Sequence, residues 1–141
     1  MLKVEHIGIA VRDLRLSIPL FEKLLNTPCY KTEVVTGEQV NTAFFRQGET
    51  KIELLEGLDP DGVIARYIAK KGEGMHHIAF EVEDLQAEMK RLVGEGFTLL
   101  NDTPRQGADN KLIRIHAQFY QHPAGAPGMK EADQLIIGAL P

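Results

Sequence analysis

The sequence predicts an α+β fold in which one chain of 141 residues contains two similar modules. The main observation is an internal repeat, because residues 4–14 and 75–85 align without a gap and share five identities. The identical pairs are His6 and His77, Ile7 and Ile78, Val11 and Val82, Asp13 and Asp84, and Leu14 and Leu85. A repeat that includes a histidine and a helix-capping aspartate indicates one supersecondary unit present twice.

Each copy is predicted to begin with a strand that leads into a helix. Residues 4–11 and 76–83 alternate between two sets of side chains, as in a half-buried strand. Asp13 and Asp84 are the expected N-caps of the two helices, the second of which is predicted over residues 84–95. The predicted apolar stripe of the first helix, which should end before Pro28, is Leu16, Leu20, Phe21, Leu24 and Leu25.

Further strands complete both halves. They are predicted at residues 30–35, 40–47 and 50–56, then at 97–100 and 111–116, with a short helix at 63–70 and a loop at 101–110. Each half thus contains a strand, a helix and two strands, with a last strand to follow. We predict one domain over residues 1–141, with module 1 at about 1–72 and module 2 at about 73–141, atypical after about 114. The last strand of the second module is doubtful, because only residues 134–137 resemble one.

Composition excludes several classes of partner. The net charge is −4, and no cluster of basic residues is longer than Lys70-Lys71, which argues against nucleic acid. The single cysteine, Cys29, cannot form an intramolecular disulfide, as expected in a reducing cytosol. No apolar run approaches the about 20 residues that span a bilayer, and the N-terminus does not resemble a signal peptide. We therefore expect a cytoplasmic protein without a membrane partner.

Two equivalent histidines at the starts of two equivalent strands suggest a metal site. His6 and His77 should converge on the axis that relates the modules, and imidazole is a common ligand of divalent metals. Glu53, in an apolar strand, is the third candidate. The alternative is an exposed residue on the strand face, paired with Lys51 or Arg46. Strict alternation places His76 on the strand face opposite His77.

The paired segments VEHIGIAVRDL and GEGMHHIAFEVEDL resemble the vicinal oxygen chelate superfamily, which includes glyoxalase I, extradiol dioxygenases and bleomycin-resistance proteins. Its members consist of two βαβββ modules. The segments TKIELLEG, DPDGVIARYIAKKGEGMHHIAFEVEDL and NDTPRQGADNKLI are more narrowly similar to the methylmalonyl-CoA epimerase family, over roughly residues 1–115.

This resemblance implies a divalent metal ion (cobalt, manganese, nickel or zinc) held by His6, Glu53 and His77. It also implies an acyl-CoA substrate and a homodimer. The implied reaction interconverts the C2 stereoisomers of methylmalonyl-CoA by proton abstraction through a metal-stabilised enolate.

The chain departs from the family pattern in two places. The family's fourth ligand is a glutamate in the last strand, but Gln134-Leu135-Ile136-Ile137 has no carboxylate at an inward position. Thr42 stands where some members carry a glutamate proposed as a base, so no catalytic residue is assigned. One hypothesis is a shifted reading frame over residues 114–121. The other is a substitute ligand from the C-terminal segment, for which the candidates are His116, His122, Glu131 and Asp133.

Two other functions remain open. A lactoylglutathione lyase of the glyoxalase I type would use the same metal site, but the segments TKIELLE and KKGEGMHHIAFEV favour the epimerase. A non-catalytic binding protein of the bleomycin-resistance kind would not need the missing glutamate.

Overall fold

The computed structural model describes residues 3–97, 105–106, 112–113, 116–118 and 134–137. The strands are β1 (Lys3–Val11), β2 (Lys31–Val35), β3 (Val40–Gln47), β4 (Thr50–Gly57), β5 (Gly74–Glu81), β6 (Arg105–Gln106), β7 (Leu112–Ile113), β8 (His116–Gln118) and β9 (Gln134–Ile137). The helices are α1 (Leu14–Leu25), α2 (Val63–Lys71) and α3 (Leu85–Gly94), and Thr36–Glu38 forms a short 3-10 turn.

Both halves of the chain contribute to one seven-stranded sheet in the order β2-β3-β4-β1-β5-β9-β8. The first strands of the two halves, β1 and β5, lie antiparallel at its centre. Each has a parallel neighbour from its own half on its outer side: β4 beside β1, and β9 beside β5. This approximate twofold arrangement confirms the predicted α+β fold of two modules, and it places the two repeated histidines on adjacent strands.

The doubtful last strand is present as β9, and its register locates the counterpart of Glu53. In the first module Glu53 pairs with Gly8 of β1, two residues after His6. In the second module Ile136 pairs with Ala79 of β5, two residues after His77. Ile136 therefore occupies the register position equivalent to that of Glu53, and the isoleucine side chain has no atom that binds a metal.

Helix α1 begins as predicted at Asp13, whose side chain accepts a hydrogen bond from the Arg15 N–H. The Arg15 guanidinium also donates to this carboxylate and holds its pKa below the ordinary value. The helix continues through Pro19 and ends at Leu25, and the C-cap residue Asn26 adopts a left-handed conformation.

The predicted apolar stripe of α1 is only partly buried. Leu16, Leu20 and Leu24 are 74%, 63% and 70% exposed. The packed row contains Leu14 and Ile18 together with Phe21 and Leu25, and the last two belong to the predicted stripe. Both rows have helical spacing, so the pattern alone cannot choose between them. The Leu14 N–H donates to Oε1 of Glu56, at 3.2 Å, and this contact anchors the Leu14 row over β4.

Other boundaries differ from the prediction. Phe97 still belongs to the turn after α3, since its N–H donates to the Leu92 carbonyl, and residues 98–100 lie outside the described part. β6 lies inside the predicted loop 101–110, and β7 and the start of β8 lie within the predicted strand 111–116. Among the described residues, no helix is both long and apolar enough to cross a bilayer.

The cap of α3 provides a stability test. The Asp84 carboxylate accepts a hydrogen bond from the Ala87 N–H at 3.0 Å. We expect Asp84→Ala to lower the free energy of unfolding by about 1 kcal/mol, measured by urea denaturation, because this N–H loses its partner. Asp84→Asn retains a capping oxygen and should remain within a few tenths of a kcal/mol of the original protein. Equal losses in the two variants would contradict a capping role.

Candidate metal centre

A cluster of buried polar side chains crosses the centre of the sheet on three adjacent strands. Strand β1 lies in the middle, between β4 and β5. The members are 4–8% exposed, and they are Glu5 and His6 of β1, Lys51 and Glu53 of β4, and His76 and His77 of β5. Buried charges are costly unless they are paired or bind a metal, so this concentration at one place indicates a functional site.

The cluster lies on the face of the sheet that α1 does not cover. Alternation along β4 sends Leu54 toward α1, while Leu55 packs on the opposite face against Ile64 and Ile68 of α2. Glu53, two residues before Leu55, shares that opposite face. Helix α2 therefore borders the cluster, and α1 supports the sheet from behind.

The His6 ring is the centre of the cluster. Its Nε2 lies 2.9 Å from the Nε2 of His77, and the two rings meet edge to face with their centroids 5.0 Å apart. Its Nδ1 lies 3.6 Å from Oε1 of Glu53. The structure thus brings the three residues proposed from the sequence around one imidazole, with His77 and Glu53 at different edges of the ring.

The donor atoms fit a divalent metal ion. The two Nε2 atoms lie 2.9 Å apart, close to the about 3.0 Å expected for two nitrogens that bind one ion at about 2.1 Å and at right angles, and shorter than the about 3.4 Å expected around a tetrahedral ion. A second donor set, which contains Glu5 instead of His77, consists of Glu5, His6 and Glu53, whose donor atoms lie within 4.8 Å of one another. Imidazole and carboxylate donors suit zinc, cobalt, nickel and manganese, so this set does not select one of them.

The position of His76 was predicted wrongly. Its Nδ1 lies 2.9 Å from the Nδ1 of His77, so the two side chains meet instead of pointing to opposite faces. The reason is a β-bulge: Gly8 pairs with His77 but Ile9 pairs with Met75, which leaves His76 as an extra residue in β5. A bulge interrupts the alternation on which the prediction rested.

A second bulge brings Glu5 into the site. Val4 pairs with Phe80 and His6 with Ala79, so Glu5 is the extra residue of β1. Its Oε2 lies 2.5 Å from the Nδ1 of His6. Sequence reasoning missed Glu5, although the repeat contained a signal: Glu5 precedes His6 as His76 precedes His77.

Lys51 was missed as a member of the site. Its ammonium lies 2.9 Å from Oε1 of Glu5 and 3.6 Å from Oε1 of Glu53. The alternative of an exposed Glu53 is therefore wrong about burial, since Glu53 is 4% exposed, but right about its contact with Lys51. Arg46 is exposed, with its guanidinium over the Tyr30 ring.

Gly8 makes room for the His77 imidazole. A Cβ atom at position 8 would lie 2.3 Å from Cε1 and 2.6 Å from Nε2 of His77. We expect Gly8→Ala to displace this ring and to weaken zinc binding by at least about tenfold, as loss of a ligand's support does. Competition with a chromophoric chelator measures the affinity. The matched control is Gly37→Ala, where the added methyl meets open space; equal affinity in both variants would exclude the steric effect.

The remaining candidates provide no carboxylate among the described residues. Thr42 is buried on β3, and a hydroxyl cannot replace a glutamate as a base at neutral pH. His116 begins β8 and pairs in register with Ile136. His122, Glu131 and Asp133 lie outside the described residues.

Comparison with known proteins identifies the family of the chain. Residues 5–114 match the Glyoxalase/Bleomycin resistance protein/Dioxygenase superfamily. An uncharacterized protein of Bacillus subtilis, YqjC, is 37% identical over 113 residues, which cover 80% of this chain and 81% of that protein. The ethylmalonyl-CoA/methylmalonyl-CoA epimerase of Cereibacter sphaeroides is 32% identical over 123 residues, covering 86% of this chain and 88% of the enzyme.

Solved structures include close matches to the whole fold. The methylmalonyl-CoA epimerase of Mycobacterium tuberculosis superposes with a TM-score of 0.78 at 29% identity, covering 98% of this chain and 89% of that one. These matches show that the chain belongs to the Glyoxalase/Bleomycin resistance protein/Dioxygenase superfamily, with methylmalonyl-CoA epimerases among its relatives.

Proposed function

We propose that the protein is a metal-dependent isomerase that interconverts the C2 stereoisomers of methylmalonyl-CoA. The observation that carries this proposal is the buried set of His6, Glu53 and His77, with the two Nε2 atoms 2.9 Å apart, in a chain whose relatives are named as epimerases of this substrate. In this proposal the three residues hold one divalent metal ion.

The proposed substrate has a C2 hydrogen between a carboxylate and a thioester carbonyl, and negative charge moves to oxygen when that proton leaves. A bound divalent ion would act as a Lewis acid toward this charge. Lys51 adds a second positive centre beside Glu53, at 3.6 Å. Charges act more strongly in such a buried place than in water, so the site is suited to stabilise an oxyanion.

The proton-transfer groups are not assigned. Thr42 stands where some family members carry a glutamate, and Ile136 lies at the register position equivalent to that of Glu53. The reaction has two steps, removal of the C2 proton and its return to the opposite face. The assay must measure these two steps separately.

The decisive experiment follows hydrogen exchange at C2 of methylmalonyl-CoA. The protein is incubated with one stereoisomer and Co²⁺ in D₂O, and mass spectrometry follows deuterium while a stereospecific coupled enzyme follows inversion. We expect deuterium to enter at C2 faster than in a metal-free sample containing chelator. A protein with bound metal but with exchange no faster than buffer would refute the proposed activity.

A binding protein is the second candidate, and Ile136 in the register position of Glu53 favours it. Such a protein would bind the acyl-CoA or another small molecule without exchange, as calorimetry would reveal. The glyoxalase alternative is tested in parallel with the hemithioacetal of methylglyoxal and glutathione. Thioester formation from this adduct would favour the lyase over the epimerase.

A homodimer and a cytoplasmic location remain predictions. Sedimentation velocity at several protein concentrations would test the first, and a monomer throughout that range would contradict it. Cell fractionation would test the second.

A further inference from the structure

The Thr42 hydroxyl is a buried polar group that the metal site does not account for. Thr42 is 1% exposed, and no hydrogen-bond partner of its hydroxyl lies among the residues that the structure describes. We propose that Thr42 is a specificity-determining residue, whose hydroxyl donates a hydrogen bond to the free carboxylate of the acyl-CoA substrate. This inference rests on the proposed function and adds to it a residue that contacts the substrate.

Thr42 lies on the same face of the sheet as the metal centre. Strand β3 pairs with β4 in unbroken register along its whole length. Two residues before Thr42, Val40 packs in one cluster with Leu55, on the face that carries Glu53. Alternation therefore sends Thr42 to that face, and it sends Ala43 to the opposite face, where α1 packs.

The register also places Thr42 close to a proposed metal ligand. Thr42 pairs with Leu55 of β4, and Phe44 pairs with Glu53. Thr42 and Glu53 are therefore diagonal neighbours on one face, for which the usual separation is about 7–8 Å. A short acyl group that lies against Glu53 can reach the Thr42 hydroxyl as well.

A hydroxyl at this position is costly without a ligand. Burial of an unpaired hydroxyl destabilises the folded protein. Valine has nearly the same shape, is favoured in strands and would avoid that cost at position 42. An acceptor on a ligand offsets the cost, and hydrogen bonds to charged acceptors are stronger than those to neutral ones. The carboxylate of methylmalonyl-CoA is an acceptor of this kind.

Two threonine-to-valine variants test the proposal. Thr42→Val removes the unpaired hydroxyl, and Thr42→Ser keeps it. The matched control is Thr50→Val, which removes a hydroxyl that donates to the Val4 carbonyl at 3.1 Å. Calorimetry of the zinc-loaded proteins measures the Kd of methylmalonyl-CoA and that of propionyl-CoA, which lacks the free carboxylate. Thermal denaturation of the ligand-free proteins measures the Tm.

We expect Thr42→Val to weaken the binding of methylmalonyl-CoA by about 10- to 100-fold, as for a lost hydrogen bond to a charged group, and to change that of propionyl-CoA by less than about twofold. Thr42→Ser should retain the preference for methylmalonyl-CoA. The Tm of Thr42→Val should equal or exceed that of the original protein, because no hydrogen bond within the protein is lost. Thr50→Val should lower the Tm and leave both Kd values unchanged.

Two results would overturn the proposal. If Thr42→Val weakens both ligands equally, the carboxylate is not the partner of the hydroxyl. If its Tm falls as far as that of Thr50→Val, the hydroxyl has a partner within the protein and serves the fold.

The inference and the proposed function can fail separately. If the original protein exchanges C2 hydrogen and Thr42→Val binds both ligands as the original does, the inference fails and the proposed function stands. If the original protein prefers methylmalonyl-CoA through Thr42 but exchanges no hydrogen, the proposed activity fails and the contact belongs to a binding protein. If the original protein binds the two ligands equally, the inference fails, and the exchange assay decides the function by itself.

Discussion

Replacing His6 with alanine is expected to abolish both metal binding and hydrogen exchange at C2 of methylmalonyl-CoA. The His6 ring lies at the centre of the site, where it contacts Glu5, Glu53 and His77. Removal of a residue that only holds a metal ligand in place weakens metal binding by about 10- to 100-fold. Loss of a ligand itself should weaken metal binding by more than that. Calorimetry with zinc and the exchange assay with Co²⁺ measure the two effects.

The matched control is Glu49→Ala, in the exposed turn between β3 and β4. It should retain the affinity and the exchange rate of the original protein. Metal binding that survives in a folded His6→Ala variant would place the ion elsewhere. Retained binding with lost exchange would instead assign His6 to the reaction and not to the metal.

Replacing Lys51 with methionine is expected to lower the free energy of unfolding of the metal-free protein by about 3–5 kcal/mol. The Lys51 side chain is buried and contacts the carboxylates of Glu5 and Glu53 at 2.9 and 3.6 Å. Without the ammonium, two buried carboxylates lie near each other with less compensating charge. Urea denaturation in the presence of a chelator measures the loss.

The double variant Lys51→Met with Glu5→Gln separates charge from packing. It removes one carboxylate together with the ammonium, so it should recover a substantial part of the stability that Lys51→Met loses. A double variant as unstable as the single one would mean that the lysine stem, and not its charge, supports the site. Saturating zinc should narrow the difference between Lys51→Met and the original protein, because the ion supplies positive charge where the ammonium was lost.

The modules could be predicted because their signals are local. Strand alternation, a capping aspartate and a repeat of eleven residues depend on neighbours in the chain, and the order of β1, α1, β2, β3 and β4 follows from them. The convergence of His6 and His77 was also predictable, because two copies of one unit related by an approximate twofold axis bring equivalent residues together. Glu53 could be proposed as a ligand because it lies in an otherwise apolar strand.

The packing of α1 could not be predicted in the same way. Two rows of apolar residues lie along this helix, and Leu16, Leu20 and Leu24 match helical spacing as well as the buried row does. The choice between the rows depends on how Leu14 meets β4 through Glu56, a contact between residues 42 positions apart in the chain.

The sequence by itself determined that the chain has two modules and that a histidine lies in the first strand of each. It also provided Glu53 as a carboxylate candidate for the same metal site. Lys51 lies two residues before Glu53 in a regular strand, so alternation alone places it on the same face. Only the tertiary structure decided that Glu5 and His76 belong to the same site. The physical reason is register: a bulge exists only relative to the strand opposite, and one extra residue in β1 or β5 reverses the side to which a residue points. No pattern within either strand alone contains that information.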